Sequence, residues 1–211
     1  MDSQIKKLVN VSGSCLSNNP VVLDVPKHVP TKLSSELRKL LELKNGFYAF
    51  EQALHVLPSK SVAESCGLDS WNDPSLWISN YKGLADGCFF FAEDVFGGQF
   101  CIRSDGIYTF DPETGALTQI ATSLSGWAKA LLENYDVLAG YNLAHKWQVE
   151  HGRLDPGMRL APKQPFVLQG EFVVENLYPI EAVALMRQSA NLAVQIRDLP
   201  DGAQVTWKIS D

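Results

Sequence analysis

The sequence predicts an α+β fold in which a curved, largely antiparallel sheet is packed by helices. Between residues 89 and 121, short apolar segments alternate with turn signals, which is typical of a meander of antiparallel strands. Amphipathic helical patterns lie on both sides of this stretch. The chain has 211 residues, 45% of them hydrophobic, so it can bury a sizeable core as one large or two small domains.

The N-terminal part predicts one strand and one helix. Val21–Val25 is a candidate strand bounded by prolines. The helix is expected to begin near Ser34 or Ser35, where a hydroxyl can cap free amide groups. It should end at Asn45-Gly46, because glycine adopts the left-handed conformation that closes many helices.

Two further segments precede the meander. Residues 47–57 are apolar and aromatic, which favours a short strand or turn followed by a helical turn. Asp73-Pro74 predicts a helix start, since it pairs a capping side chain with a proline suited to the first helical position. Gly83 is expected to end this helix.

The meander itself predicts four strands joined by glycine-containing turns. Asp105-Gly106 suits a hairpin turn because both residues tolerate positive φ. The expected strands are Cys88–Phe91, Gln99–Arg103, Ile107–Phe110 and Ala116–Ala121.

A helix follows the meander. It is expected to start near Ser123, to bury Trp127 on its apolar face, and to end or kink at Gly140. Residues 141–150 are also compatible with a helix.

The C-terminal part predicts a β-α-β-hairpin extension. A Gly- and Pro-containing loop at 152–165 is the best internal boundary. Beyond it the apolar segment 166–168 leads to a Gly170 turn and a predicted strand at 171–174. The sequence then favours a helix at 179–187 and a strand at 192–196. A turn at 200–202 precedes a last predicted strand at 204–209. This extension either continues the main sheet or forms a small subdomain.

No motif for catalysis, cofactor binding or metal binding appears. The four cysteines lack C-x-x-C spacing, and Cys88 and Cys101 suit a core position better than a disulfide. His145 and His151 do not share a helix face, while His28 and His55 are isolated in sequence. Gly97-Gly98 lacks the pattern of a phosphate-binding loop. A site assembled through space stays an open alternative.

Carboxylates gather at the strand ends and turns of the meander. Three interpretations are open: acid/base or cation-binding work, local capping of turns, and an acidic rim that docks on a basic partner. The residues of this candidate rim are Glu93, Asp94, Asp105, Asp111 and Glu113.

The net charge indicates what kind of molecule the protein binds. The formal net charge of −6 argues against direct binding of nucleic acid and fits a basic partner. The N-terminus has no export signal and no window is apolar enough to span a bilayer. We therefore expect a cytoplasmic protein without membrane contact.

Taken together, these motifs resemble the SUKH superfamily (Smi/Knr type), which contains bacterial immunity proteins and a fungal regulator of cell-wall synthesis. The resemblance covers about residues 30–140 and implies a SUKH-like domain at 1–151 followed by the extension at 152–211. The matching motifs are Leu40-Leu41-x-x-x-Asn45-Gly46-Phe47, Phe91-x-x-Asp94-x-x-Gly97-Gly98-x-Phe100, Ile107-Tyr108-x-Phe110-Asp111 with Glu113-Thr114-Gly115, and Leu124-x-x-Trp127-Ala128-x-x-Leu131-Leu132. In this motif Asp94 is favoured as a structural turn residue.

The resemblance also implies a function. It predicts a non-enzymatic immunity protein that binds a cognate polymorphic toxin, often a nuclease or deaminase, and occludes its active site. The alternative is a non-toxin intracellular interaction scaffold of the Smi/Knr regulatory type. A small-molecule-binding protein or enzyme is a third reading, and it would require a deep polar pocket with converging titratable residues.

Overall fold

A six-stranded antiparallel sheet forms the centre of the molecule, in a computed structural model that describes residues 3–63, 65–200, 202–203 and 205. Neighbouring strands follow one another in chain order across the whole sheet. The predicted α+β class and antiparallel meander are therefore confirmed. The strands are β1 (Phe47–Ala49), β2 (Leu54–Val56), β3 (Phe89–Asp94), β4 (Gln99–Arg103), β5 (Gly106–Phe110) and β6 (Leu117–Ala121).

Strand β3 is buried on both faces. Phe90 packs against Trp77, with ring centroids 4.9 Å apart, while its neighbour Phe91 packs against Trp127 at 5.0 Å. Successive side chains of a strand point to opposite faces, so the two tryptophans cover opposite sides of the sheet. This explains why β3 begins with a continuous apolar run, residues 89–92, instead of an alternating pattern.

Helices pack around the sheet. They are α1 (Ser3–Val11), α2 (Thr31–Leu43), α3 (Leu68–Trp71), α4 (Leu124–Ala139), α5 (Tyr141–His151) and α6 (Ala182–Ile196). Helix α4 begins as predicted, because Ser123 Oγ accepts a hydrogen bond from the Gly126 backbone N–H at 3.1 Å. It ends at Gly140, whose φ of 71° is left-handed, and α5 follows directly. Helix α1, which the sequence did not predict, packs against α4.

Three predictions for the N-terminal half are wrong. Val21–Val25 pairs with no strand, although alternate side chains do pack against the core. Helix α2 starts earlier, at Thr31, and Ser34 caps no amide because its hydroxyl donates to the Thr31 carbonyl. No helix starts at Asp73-Pro74: Asp73 closes a turn by accepting from the Ser75 N–H, and a 3-10 helix (Ile78–Tyr81) follows.

The segment 47–57 forms a hairpin instead of a strand and a helical turn. Strands β1 and β2 are joined by residues 50–53, in which Phe50, Glu51 and Gln52 have φ values of 52°, 51° and 71°. Three successive non-glycine residues in the left-handed region are unusual, since each costs about 1–2 kcal/mol. Their side chains gave no sequence signal for this turn.

Within its described residues the C-terminal extension is β-β-α, which differs from the predicted β-α-β-hairpin. Strand β7 (Met158–Pro162) lies inside the predicted loop and pairs with β8 (Leu177–Glu181). Proline is tolerated at the end of an edge strand, so the prolines between residues 152 and 165 do not exclude a strand there. The apolar segment 166–168 is a 3-10 helix, and the predicted strand 171–174 is not formed.

Helix α6 replaces the predicted strand at 192–196. Its buried residues recur at helical spacing over the whole element, at Ala182, Met186, Ser189 and Ala193. The five-residue window chosen as a strand was too short to show this period. The predicted strand at 204–209 lies, apart from Val205, outside the described residues. The domain boundary at 151/152 stays a prediction.

The extension is anchored on the central sheet by strand β7. The Leu160 N–H donates to the Val95 carbonyl at 2.8 Å, just beyond the end of β3. The Arg159 guanidinium reaches Glu93 on β3, and both side chains are almost fully buried. Leu160 and Met186 join the same apolar cluster as the central sheet.

Two glycines with positive φ provide a matched test of the packing. At Gly46 (φ 76°) an added Cβ would lie 2.7 Å from the Pro58 backbone nitrogen, whereas at Gly152 (φ 92°) no atom lies within 4 Å. We expect Gly152→Ala to lower the free energy of unfolding by about 1–3 kcal/mol, because the φ of 92° and ψ of 172° at this position lie in a region that is essentially restricted to glycine. Gly46→Ala should lose about 1–3 kcal/mol more because of overlap with Pro58. Urea denaturation measures both, and equal losses would contradict the packing at Gly46.

Candidate functional site

The five carboxylates of the predicted acidic rim do not lie on one surface. Consecutive turns of a meander emerge at opposite ends of the sheet. The β3–β4 and β5–β6 turns therefore share one end, with Asp94, Asp111 and Glu113, while Asp105 lies at the other end in the β4–β5 turn. Glu93 lies in the interior and is 1% exposed.

Asp94 and Asp111 cap their own turns. Asp94 Oδ1 accepts hydrogen bonds from the Phe96 and Gly98 N–H groups at 2.7 and 2.8 Å. Asp111 accepts from the Glu113 N–H at 2.9 Å and from the Thr114 hydroxyl at 2.8 Å. Burial raises the pKa of Asp94 to about 7, although these two N–H donors favour the ionised form. Asp111 is exposed.

Glu113 fastens the extension to the β5–β6 turn. Its two carboxylate oxygens accept from the Phe166 and Val167 N–H groups at 3.1 and 2.7 Å. The side chain is buried, which raises its pKa. Glu113, predicted as part of the acidic rim, is therefore occupied by backbone N–H groups of this chain.

Asp105 is exposed and separate from the other turn carboxylates. Its side chain accepts a hydrogen bond from the Tyr108 hydroxyl at 2.8 Å. It therefore serves as a natural control for the charges at the opposite end of the sheet.

An open groove lies at the end of the sheet that holds Asp94 and Asp111. Its volume is about 430 Å³, and the extension forms one wall of it. Large apolar side chains line the groove while facing solvent: Phe172 is 67% exposed, Val137 83% and Val167 38%. Phe172 stacks on Phe166, with ring centroids 4.0 Å apart, which holds the exposed ring in place.

The titratable side chains that line the groove, among the described residues, are all acidic, and Asp111 is the exposed one. The described lining of the groove contains the carboxylates of Asp94, Asp111 and Glu113 and no lysine, arginine or histidine. An apolar floor with acidic edges is suited to a protein surface that combines basic and apolar side chains. We call this surface, lined by Asp94, Asp111, Val137, Val167 and Phe172, the acidic groove.

A second, smaller cavity of about 310 Å³ lies beside a buried polar cluster. His55 on β2 stands directly opposite Glu93 on β3, and its Nδ1 lies 2.8 Å from Glu93 Oε1. Its Nε2 lies 3.0 Å from the Ser65 hydroxyl, and its ring stacks on Tyr48 at 4.3 Å. Arg159 completes the cluster by pairing with the same Glu93 oxygen.

The electrostatics of this cluster follow from burial and charge. Burial alone would raise the pKa of Glu93, but the Arg159 guanidinium and the His55 hydrogen bond hold it at about 2. Burial lowers the pKa of His55, so its imidazole is neutral at neutral pH. Because the carboxylate accepts, Nδ1 carries the proton and Nε2 is left as an acceptor.

The sequence alone does not predict this cluster. In sequence Glu93 belongs to the candidate rim, His55 is isolated, and Arg159 lies within the predicted loop. The one available signal was pairing in the sheet, since a β1–β2 hairpin beside β3 places His55 next to Glu93.

The described residues contain neither a candidate metal site nor a disulfide. No group of three or more His, Cys, Asp or Glu side chains is positioned there to hold a metal ion. All four cysteines are free thiols, including Cys88 just before β3 and Cys101 on β4. No helix in the described part of the chain is both long and apolar enough to cross a membrane.

The antiparallel meander with helices on both faces is that of an α+β domain of the SUKH type. More narrowly, the chain belongs to the SMI1/KNR4 family (SUKH-1), whose model matches residues 22–130. Proteins of this family are immunity proteins or Smi/Knr-type regulatory proteins and are typically not enzymes. The assignment supports a protein as the binding partner.

Comparison of structures shows the same fold. The crystal structure of Atu4351 from Agrobacterium tumefaciens matches with a TM-score of 0.52 at 14% sequence identity, over 87% of this chain and 86% of that one. This likeness shows the fold alone, and it covers more of the chain than residues 22–130. A search of curated proteins finds no match to the sequence.

The buried ion pair predicts how stability depends on charge. Glu93→Gln keeps the size of the side chain but leaves the Arg159 guanidinium buried without a counter-charge. We expect the free energy of unfolding to fall by about 3–5 kcal/mol, as measured by urea denaturation at pH 7. The matched control is Asp105→Asn, an exposed change that should stay within about 0.5 kcal/mol. A loss below about 1 kcal/mol for Glu93→Gln would contradict this role.

The same pair predicts the pH dependence. The pKa of Glu93 is about 2 in the folded chain and near its ordinary value of 4.5 when unfolded. The unfolded chain therefore binds the extra proton first, and the contribution of Glu93 is complete above pH 4.5 and is lost as the pH falls towards 2. The difference in unfolding free energy between the native chain and Glu93→Gln should shrink over this range. A difference that stays constant from pH 6 to pH 3 would contradict the depressed pKa.

Proposed function

We propose that this chain is an immunity-type protein that binds a cognate toxin in the cytoplasm and occludes its active site. Family membership supports an immunity or Smi/Knr-type role. The observation that carries the proposal further is the acidic groove, where solvent-facing Phe172 and Val137 stand beside Asp94 and Asp111. Exposed apolar anchors next to charges of one sign are the usual composition of a recognition surface.

The chemistry of the groove favours a basic partner. A toxin that acts on nucleic acid, such as a nuclease or deaminase, needs a basic substrate cleft. Acidic side chains that cover such a cleft exclude the substrate and are attracted to it over a distance set by the salt concentration. Charge would speed encounter, while burial of Phe172 would slow dissociation.

This proposal changes which residues of the predicted acidic rim are expected to contact the partner. Asp94 and Asp111 remain candidate contact residues, and Val137, Val167 and Phe172 are added to them. Asp105 is proposed to lie outside the interface, because it sits at the opposite end of the sheet. Glu93 and Glu113 are assigned structural roles instead of direct contact with the partner.

The test begins by tagging the chain in its native organism and identifying the captured protein. The purified partner is then assayed for nuclease or deaminase activity with and without this chain. Stoichiometric inhibition supports an immunity role. Tight binding to a partner that has no toxic activity contradicts it and favours a regulatory scaffold.

Variants in the groove test the location of the interface. Phe172→Ala should raise the Kd for the partner about 10- to 30-fold, because an exposed aromatic anchor loses about 1.4–2 kcal/mol on truncation. The control is Val149→Ala, another exposed apolar residue that does not line the groove. Equal Kd values for the native chain and Phe172→Ala would place the interface elsewhere.

Removing one charge at each end of the sheet tests which end binds the partner. Asp111→Asn keeps an oxygen that can accept from the Glu113 N–H, so the turn is retained while the charge is removed. We expect a lower association rate constant and a weaker salt dependence, measured by stopped-flow or biosensor kinetics. Asp105→Asn carries the same change in charge and should leave both unchanged. Equal effects of the two variants would contradict docking through the groove.

A further inference from the structure

The buried cluster beside the 310 Å³ cavity has the connectivity of a nucleophilic triad. Ser65 Oγ lies 3.0 Å from His55 Nε2, and His55 Nδ1 lies 2.8 Å from Glu93 Oε1. A hydroxyl bonded to Nε2, with a carboxylate on Nδ1, is the arrangement that activates serine in hydrolases on unrelated folds. The three residues come from β2, β3 and the loop between them.

The proton positions in the cluster favour activation. Glu93 is held ionised by Arg159, so it can only accept, and the His55 proton must lie on Nδ1. The neutral ring then presents a lone pair on Nε2 to the Ser65 hydroxyl. The Cys66 carbonyl, 3.0 Å from the same hydroxyl, is a second acceptor that competes with His55 Nε2 for its single proton.

The three residues also meet at the wall of a cavity. His55, Ser65 and Glu93 all line it, and Ser65 is 7% exposed. The remaining lining includes the apolar side chains of Leu57, Val62, Ala63, Met158 and Val183. The carboxylate of Glu181 lies on the same wall and disfavours an anionic ligand.

We propose that Ser65, His55 and Glu93 form an esterase-type site for a short, uncharged acyl ester. Ser65 Oγ bonds to the ester carbonyl carbon while its proton passes to His55 Nε2. The bond from that carbon to the alcohol oxygen then breaks, and His55 returns the proton to the departing alcohol. Water repeats the sequence on the acyl-serine, which releases the carboxylic acid and restores the hydroxyl.

This activity is separate from partner binding. The acidic groove and the cavity have no side chain in common among those named for the two sites. A failure of the esterase proposal therefore leaves the proposed immunity role untouched, and the reverse also holds.

The first experiment treats the full chain with an alkyl fluorophosphonate, whose phosphorus bonds to an activated serine with loss of fluoride. Intact-mass measurement and peptide mapping should show a single adduct on Ser65 that is absent in Ser65→Ala. His55→Gln should slow labelling at least about 100-fold, the usual contribution of a general base. Ser75→Ala is the control, since Ser75 is exposed and bonded to Asp73, with no histidine partner.

A second measurement follows the hydrolysis of p-nitrophenyl butyrate. We expect turnover by the native chain and by Ser75→Ala, and background hydrolysis only with Ser65→Ala, with far-UV circular dichroism confirming that each variant is folded. The proposal is overturned if the native chain gives no Ser65 adduct, if labelling spreads over exposed serines, or if native and Ser65→Ala hydrolyse the ester equally. In each of these cases the contact between Ser65 and His55 is structural.

Discussion

The buried pair of Glu93 and Arg159 is the interaction on which the arrangement of the molecule depends. It joins the central strand β3 to β7, so a charge at residue 93 is compensated only when the C-terminal extension is in place. Removing two charges from water costs several kcal/mol per ion, which is recovered only with good geometry and further hydrogen bonds. His55 supplies one of these bonds and is thereby fixed in ring position and tautomer.

The central part of the fold could be predicted because its signals are local. The strands β4 and β5, the Asp105-Gly106 turn and the start of α4 after Ser123 all follow from short patterns of apolar residues, glycines and a capping hydroxyl. The extension could not be predicted in this way. Strand β7 depends on pairing with β8 across the segment between them, and the period of α6 appears only over its full length.

The sequence indicates that carboxylates gather at the turns of the meander, but it does not indicate which of them share a surface. Turn carboxylates such as Asp94 and Asp111 were expected, yet their side chains are largely satisfied by the turns that they close. Glu93 could not be assigned to the interior, because its partner Arg159 is 66 positions away along the chain. The apolar part of the groove comes from Val137 on α4 and from Val167 and Phe172 in the extension, and the prediction of a strand at 171–174 gave no indication that Phe172 is exposed.

The left-handed turn at residues 50–52 has a consequence for the order of folding. Because each of these non-glycine residues is disfavoured by about 1–2 kcal/mol, the β1–β2 hairpin is a poor candidate for an early nucleus. Its cost is offset when β2 pairs with β3, when Gln52 donates to the Leu154 carbonyl at 2.6 Å and when Glu51 contacts His145 on α5. The β3–β5 meander, with short-range pairings and compatible turns, is the natural starting point. His55 would then reach Glu93 late, as the hairpin closes onto a sheet that has already formed.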